Sequence, residues 1–192
     1  DAFNGEKIYV IDLYTRRIKL LNSNFAKHNR PTWTPDDKNI ITTVYDKDHT
    51  DLYKIDVSTS KAERITFDNA RYGVVQPDNS LVYSRIGGGL WRKDLSNNEE
   101  PKMLIPPKHF RALYTWVKSE NIVYYRYKSK DETTLFHYDL ATMNRTPIFR
   151  FPYGAVGTST NLTLIPELSK IVFPHTALPQ SDIKKLVHPL TN

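Results

Sequence analysis

The chain has 192 residues, of which 39 % are hydrophobic, 25 % charged and 12 % aromatic, a balance that supports a packed domain and excludes disorder. Seven glycines and twelve prolines exclude collagen-like and low-complexity chains, and the longest uncharged stretch, residues 151–166, is too rich in Thr, Ser, Asn and Gly to span a membrane. With no cysteine there are no disulfides, thiolate metal sites or cysteine nucleophiles, and a net charge of +6 with no basic run longer than a pair describes a mildly basic surface, not a nucleic-acid face.

A repeat organises the rest. Residues 8–13, Ile-Tyr-Val-Ile-Asp-Leu, return as Leu-Tyr-Lys-Ile-Asp-Val at 52–57, Leu-Trp-Arg-Lys-Asp-Leu at 90–95 and Leu-Phe-His-Tyr-Asp-Leu at 135–140, with a degraded copy at 183–187. The aspartates, Asp12, Asp56, Asp94 and Asp139, stand 44, 38 and 45 residues apart, and each is followed three residues later by Thr or Asn. An Asp before a short polar stretch locks a turn by accepting backbone N–H bonds two or three residues on. All four share one context, so they are predicted to be structural and not catalytic.

The first copy, over 6–22, is partial: a strand over 7–13 and another over 18–21. The second, over 23–66, has an inner strand ending near Trp33, a turn at Pro35-Asp36, strands over 40–45 and up to Asp56, and a fourth over 62–66. The third, over 67–105, has Val75, the turn Pro77-Asp78, strands over 81–84 and 90–94, and a fourth over 102–105. The fourth, over 106–150, has an inner strand ending near Trp116, strands over 122–125 and 135–139, and a fourth over 147–149. The last, over 151–190, keeps Leu164, Pro166 and strands over 170–173 and 182–187. Pro followed by Asp suits the central positions of a tight turn, and β-branched and aromatic runs make strands. Apolar spacing never sustains a helical period. Four antiparallel strands per 40–45 residues make a β-propeller blade, so the predicted class is all-β, one propeller segment of about four and a half blades. Trp33, Tyr53, Trp91, Trp116 and Phe136 recur at blade period and are predicted to pack between blades.

The pairing of Trp33-Thr34-Pro35-Asp36-Asp37 with the later Leu52-Tyr53-Lys54-Ile55-Asp56 resembles the repeat of TolB-like propellers, in which a Trp-Ser-Pro-Asp-Gly turn precedes an Ile-Tyr-x-x-Asp strand. The ending Gln180-Ser181-Asp182-Ile183-Lys184-Lys185-Leu186 resembles the end of TolB-like propellers fused behind a membrane helix and a winged-helix domain in CadC- or ToxR-like bacterial regulators. This second resemblance implies an extracytoplasmic, periplasmic sensory domain, with the membrane helix and DNA-binding domain outside this segment.

Other clusters invite chemistry less well. Asp46, Asp48, His49 and Asp51 crowd a hairpin tip but lack the Gly and Glu spacing of a calcium loop, and read as a solvated tip. Gly87-Gly88-Gly89 fills the same loop one copy later, where glycine permits positive φ; a strand, not a helix, follows it, which removes a phosphate cradle. His28, His49, His109, His137, His175 and His188 show no metal spacing, and Ser84, Ser159 and Ser181 sit in no nucleophile elbow. No cofactor or metal is implied. The expected function is non-enzymatic recognition of a protein partner or small-molecule signal, without direct nucleic-acid contact. The alternatives are the propeller of a prolyl-oligopeptidase-type hydrolase and a free periplasmic TolB-type scaffold. Both chain ends offer a third strand, so the segment is expected to be an incomplete ring prone to self-association.

Overall fold

A computed structural model of the protein describes residues 6–21, 25, 27–97, 99–111, 116–130, 132–152, 162–165, 170–176 and 181–187. Among them are seventeen strands and no helix. β1 (Ile8–Ile11) and β2 (Ile18–Leu21) form a two-stranded sheet. β3 (Lys27–Trp33), β4 (Asn39–Tyr45), β5 (Thr50–Asp56) and β6 (Ala62–Arg64) form a four-stranded one in chain order. The order repeats in β7 (Ala70–Val75), β8 (Ser80–Arg85), β9 (Leu90–Asp94) and β10 (Lys102–Ile105). It repeats again in β11 (Trp116–Ser119), β12 (Ile122–Lys128), β13 (Glu132–Asp139) and β14 (Asn144–Pro152). A final sheet has β15 (Thr163–Ile165), β16 (Lys170–Thr176) and β17 (Ser181–Val187).

The blade pattern is therefore present as expected, with changed boundaries. The inner strand of the fourth copy begins at Trp116 and runs to Ser119 instead of ending near Trp116, because Ser119 pairs with Ile122 across a two-residue turn. β6 stops at Arg64, short of 66, because the Thr66 hydroxyl is drawn to the carboxylate of Asp51. β14 runs from 144 to 152, not 147 to 149, because the turn after Asp139 is tight enough for pairing to begin at Asp139 opposite Asn144. The turn of the last copy, at Pro166, lies outside the described residues.

Two compact units divide the chain, one of residues 1–86 and 90–103, the other of residues 87–89 and 104–192. In the first, alternation along each strand sends neighbouring side chains to opposite faces. Ile40 and Ile55 meet Ile8 and Leu21 of the two-stranded sheet. Ile41 and Leu52, on the other face, meet Ala70, Val75, Leu81 and Tyr83 of β7 and β8. Gly73 sits inside this contact, where a Cβ would come within 2.5 Å of Leu52 Cδ1 and 2.9 Å of Leu81 Cδ1. In the second unit, Tyr124, Leu135 and Phe151 pack on Leu162, Ile171 and Phe173.

Both repeated turns are built by their aspartates. Asp12 accepts the N–H groups of Tyr14 and Thr15, and Asp139 those of Ala141 and Thr142. Asp56 accepts the Thr59 N–H and the Ser58 and Thr59 hydroxyls, while Asp94 accepts the Ser96 N–H and hydroxyl. Four residues after Asp12, Asp56 and Asp139, the backbone is left-handed at Arg16, Ser60 and Met143. In the Pro-Asp turns, Asp36 accepts from the Thr34 hydroxyl and Lys38 N–H, and Asp78 from Ser80. Left-handed Asp37 and Asn79 close these turns, Asp37 with φ 57° where the TolB-like motif has Gly.

These bonds hold all six carboxyls below the usual carboxylate range, through the Thr15 backbone at Asp12, the Thr34 hydroxyl at Asp36, the Ser80 hydroxyl at Asp78, the Ser96 hydroxyl at Asp94 and the Thr142 backbone at Asp139. At Asp56 the Ser58 hydroxyl leads, and the value falls to about 2. The unfolded chain, with carboxyls near pH ~4, binds protons before the folded chain does, so stability rises with pH in this window. The contribution is complete above about pH 4 and is lost as pH falls through the folded values toward 2. Acid unfolding followed by circular dichroism should fall in that window. It should move little with added salt, because the main partners are neutral N–H and O–H groups. Asp56→Asn should flatten the pH dependence there; a profile identical to wild type would contradict the turn's role.

Candidate functional site

By its Ile-Tyr-Val-Ile-Asp motif, β1 is a third strand. The third strands β5, β9 and β13 are each flanked by a second strand and a fourth. Among the described residues β1 pairs with its fourth strand, β2, and no second strand lies on its other edge. Beside it runs a groove of about 330 Å³ whose walls are Ile8–Ile11, Pro31, Thr32, Trp33 and Ile40. The register sets Tyr9 opposite Leu20 and Ile11 opposite Ile18. This face is exposed: Tyr9 by 58 %, Ile11 by 54 %, Ile18 by 65 % and Leu20 by 41 %. The other face carries Ile8 and Leu21 into the core, and there Lys19 Nζ donates to the carbonyls of Val57 and Ser58 at 2.7 and 2.6 Å.

Trp33 is the exposed aromatic wall of this groove. Val75, opposite Leu81, occupies the same place in its repeat and is buried at 6 % exposure, whereas Trp33, opposite Ile40, is 47 % exposed and forms part of the groove wall; Trp116 stands elsewhere in its blade, opposite Tyr125. Trp33 thus departs from the packing expected of it, because the strands that would cover it are not among the described ones. The other repeat aromatics have ring partners or core contacts. Tyr53 meets Phe25 edge-on at 4.7 Å, Trp91 packs on the core of the first unit, Trp116 is buried, and Phe136 stacks on Tyr125 at 5.7 Å.

The hairpin-tip reading holds for Asp46 and Asp48, which are exposed, and fails for Asp51, which is 1 % exposed. Asp51 Oδ2 accepts from Arg64 Nη2 at 2.5 Å; Oδ1 accepts from the Thr66 hydroxyl and the Asp68 N–H, both at 3.0 Å. This carboxylate joins β5 to the crossover leading into β7. No signal in the repeat marks it, since its equivalents are Lys7, Gly89 and Thr134. His49 lies 3.3 Å from the Tyr53 hydroxyl, and no group of three or more His, Asp or Glu among the described residues is placed to hold a metal ion. Gly87, Gly88 and Gly89 all have positive φ, and Gly89 N–H donates to the Phe110 carbonyl, a contact the glycine run alone does not announce.

Neither any protein-family model nor any curated protein matches the sequence. Solved structures match its fold. TolB from Acinetobacter baumannii superposes with a TM-score of 0.75 at 19 % identity over 94 % of this chain and 46 % of its own. A TolB-type protein from Agrobacterium tumefaciens gives 0.69 at 14 % over 97 % and 69 %. A prolyl endopeptidase gives 0.59 at 14 % over 93 % and 29 %. The chain thus spans about half the length of the first of these. The fold is that of TolB-like β-propellers, a fold shared by binding proteins and enzymes, so function rests on the site.

Proposed function

We propose that the chain is a non-enzymatic propeller module that binds a partner protein at the apolar groove beside β1. The supporting observation is the groove itself. It offers two exposed apolar pairs and a half-exposed tryptophan, a surface suited to apolar contact with a partner rather than to bond breaking. By its resemblance to regulators with a TolB-like end, we place the module outside the cytoplasmic membrane as the sensory part of a membrane-anchored transcription regulator, with the membrane helix elsewhere in the intact protein.

A second reading is the propeller of a prolyl-oligopeptidase-type hydrolase, favoured by the likeness to a prolyl endopeptidase. The flanking gene sequence separates the two. An upstream winged helix with one membrane span supports the regulator; a downstream G-x-S-x-G motif overturns it. Turnover of peptide or ester substrates by the purified chain, lost on a single substitution, would likewise overturn the binding role.

A further inference from the structure

Among the described residues, three guanidinium groups lie closest to aromatic rings. Arg64 stands 4.6 Å from the Phe67 ring centre, Arg85 3.6 Å from Trp91 and Arg145 3.4 Å from Phe136. Arg64 is paired with Asp51, and Arg85 with Asp68. Arg145, the most closely stacked, has no carboxylate partner among the described residues, and its buried Nε has no hydrogen-bond partner. Asp139, the acid nearest in the strand pair, is committed to its own turn through Ala141 and Thr142.

The register explains the stack. Arg145 lies opposite Tyr138 and Pro147 opposite Phe136, so the Arg145 side chain crosses diagonally to the Phe136 ring on the same face of the sheet. Tyr127 closes in at 5.0 Å and Tyr125 at 5.9 Å. The segment before β11 reaches the same place: the Tyr125 hydroxyl donates to the His109 carbonyl at 2.7 Å, and the His109 ring meets that of Tyr138 edge-on at 6.2 Å. Lys108 is next in sequence. Burial, then the charges of Lys108 and Arg145, push the His109 imidazole below its ordinary value, with no acid among the causes.

We infer that Arg145, His109 and Lys108 form a binding site for a small oxyanion, carboxylate or phosphate, with the Arg145 guanidinium held flat on Phe136. The stack fixes the guanidinium plane, and with one donor turned to the Tyr125 hydroxyl its remaining in-plane N–H groups can receive an oxyanion without the entropy cost of ordering a long side chain. The ring excludes water from one face and strengthens the charge interaction. A bound anion relieves the repulsion that depresses His109. This site lies in the second unit and is independent of the β1 groove.

NMR titration of His109 in the full chain tests it, in chloride, inorganic phosphate or acetate at matched ionic strength, so that general screening is held constant. Saturable shifts at the His109 ring and the Thr146 amide are expected, together with a rise in the His109 pKa. Arg145→Met keeps apolar contact with Phe136; it should raise the His109 pKa without any anion and weaken binding by about tenfold or more, on the order of 1.4 kcal/mol. Arg145→Lys keeps the charge but loses the fork and should fall between. Saturation by phosphate alone assigns a phosphate ligand, and by acetate alone a carboxylate. No saturable shift with either probe, or equal affinity in Arg145→Met, would overturn the site.

Discussion

In sedimentation velocity, the 192-residue chain is expected to self-associate weakly, with the sedimentation coefficient rising with concentration, and Ile11→Lys with Tyr9→Lys is expected to leave a monomer. Four half-exposed apolar side chains line one face of β1 and β2. Fully burying such a side chain contributes about 1.5–3 kcal/mol, so burying their exposed halves contributes about 3–6 kcal/mol in all. Association costs about 4–15 kcal/mol in lost motion and ordering, so apolar burial alone does not hold two copies together. Backbone bonds along the edge of β1 must supply the remainder, which is why the association is weak and why charge on the edge strand abolishes it. Lys at 9 and 11 lies on the exposed face, away from the core residues Ile8 and Leu21, so the fold should survive. A single monomeric species across the concentration series, or association unchanged in the double variant, would remove the edge of β1 as an interaction surface.

Asp51→Ala is expected to lose about 2–4 kcal/mol in urea unfolding, the largest single-residue effect outside the apolar core. Removing one member of a buried ion pair typically costs about 3–5 kcal/mol, because the partner is left charged in a dry place. Arg64 keeps 29 % of its side chain exposed, which lowers that figure. The Thr66 hydroxyl and Asp68 N–H lose their acceptor as well, at about 1–3 kcal/mol for a buried donor left bare. Asp51→Asn retains an acceptor for those donors but faces Arg64 with an amide, and should fall between. A loss below about 1 kcal/mol for Asp51→Ala, within the range of ordinary surface substitutions, would show that the crossover is held by packing alone.

The blade pattern was legible because it rests on local rules that recur: β-branched runs, Pro-Asp turns and one aspartate per third strand. Asp12, Asp56, Asp94 and Asp139 could be assigned to turns because each carries its partners two or three residues away. Asp51 could not, since its partners lie 13 to 19 residues on and its equivalents in other copies are not acids. The same holds for Arg145, whose stack depends on a register between β13 and β14 that no single strand specifies. Trp33 was recognisable as the repeat's tryptophan, but its exposure follows from what stands beside β1. Left-handed Arg16, Ser60 and Met143 are not legible in the sequence because none is a residue type that favours positive φ.

The way the β1–β2 pair is fastened also bears on when it comes loose. Among the described residues it has no sheet neighbour beyond its own pairing, one buried face, and a lysine reaching the carbonyls of Val57 and Ser58. Local opening in native proteins begins where buried contacts are fewest. The amides of residues 8–21 should therefore exchange with deuterium sooner than those of β4 or β8, whose side chains are buried on both faces. The strand that would receive a partner is then the first to leave the fold. A bound partner would register as slowed exchange there, giving a label-free signal of occupancy even where the binding site itself gives no spectroscopic change.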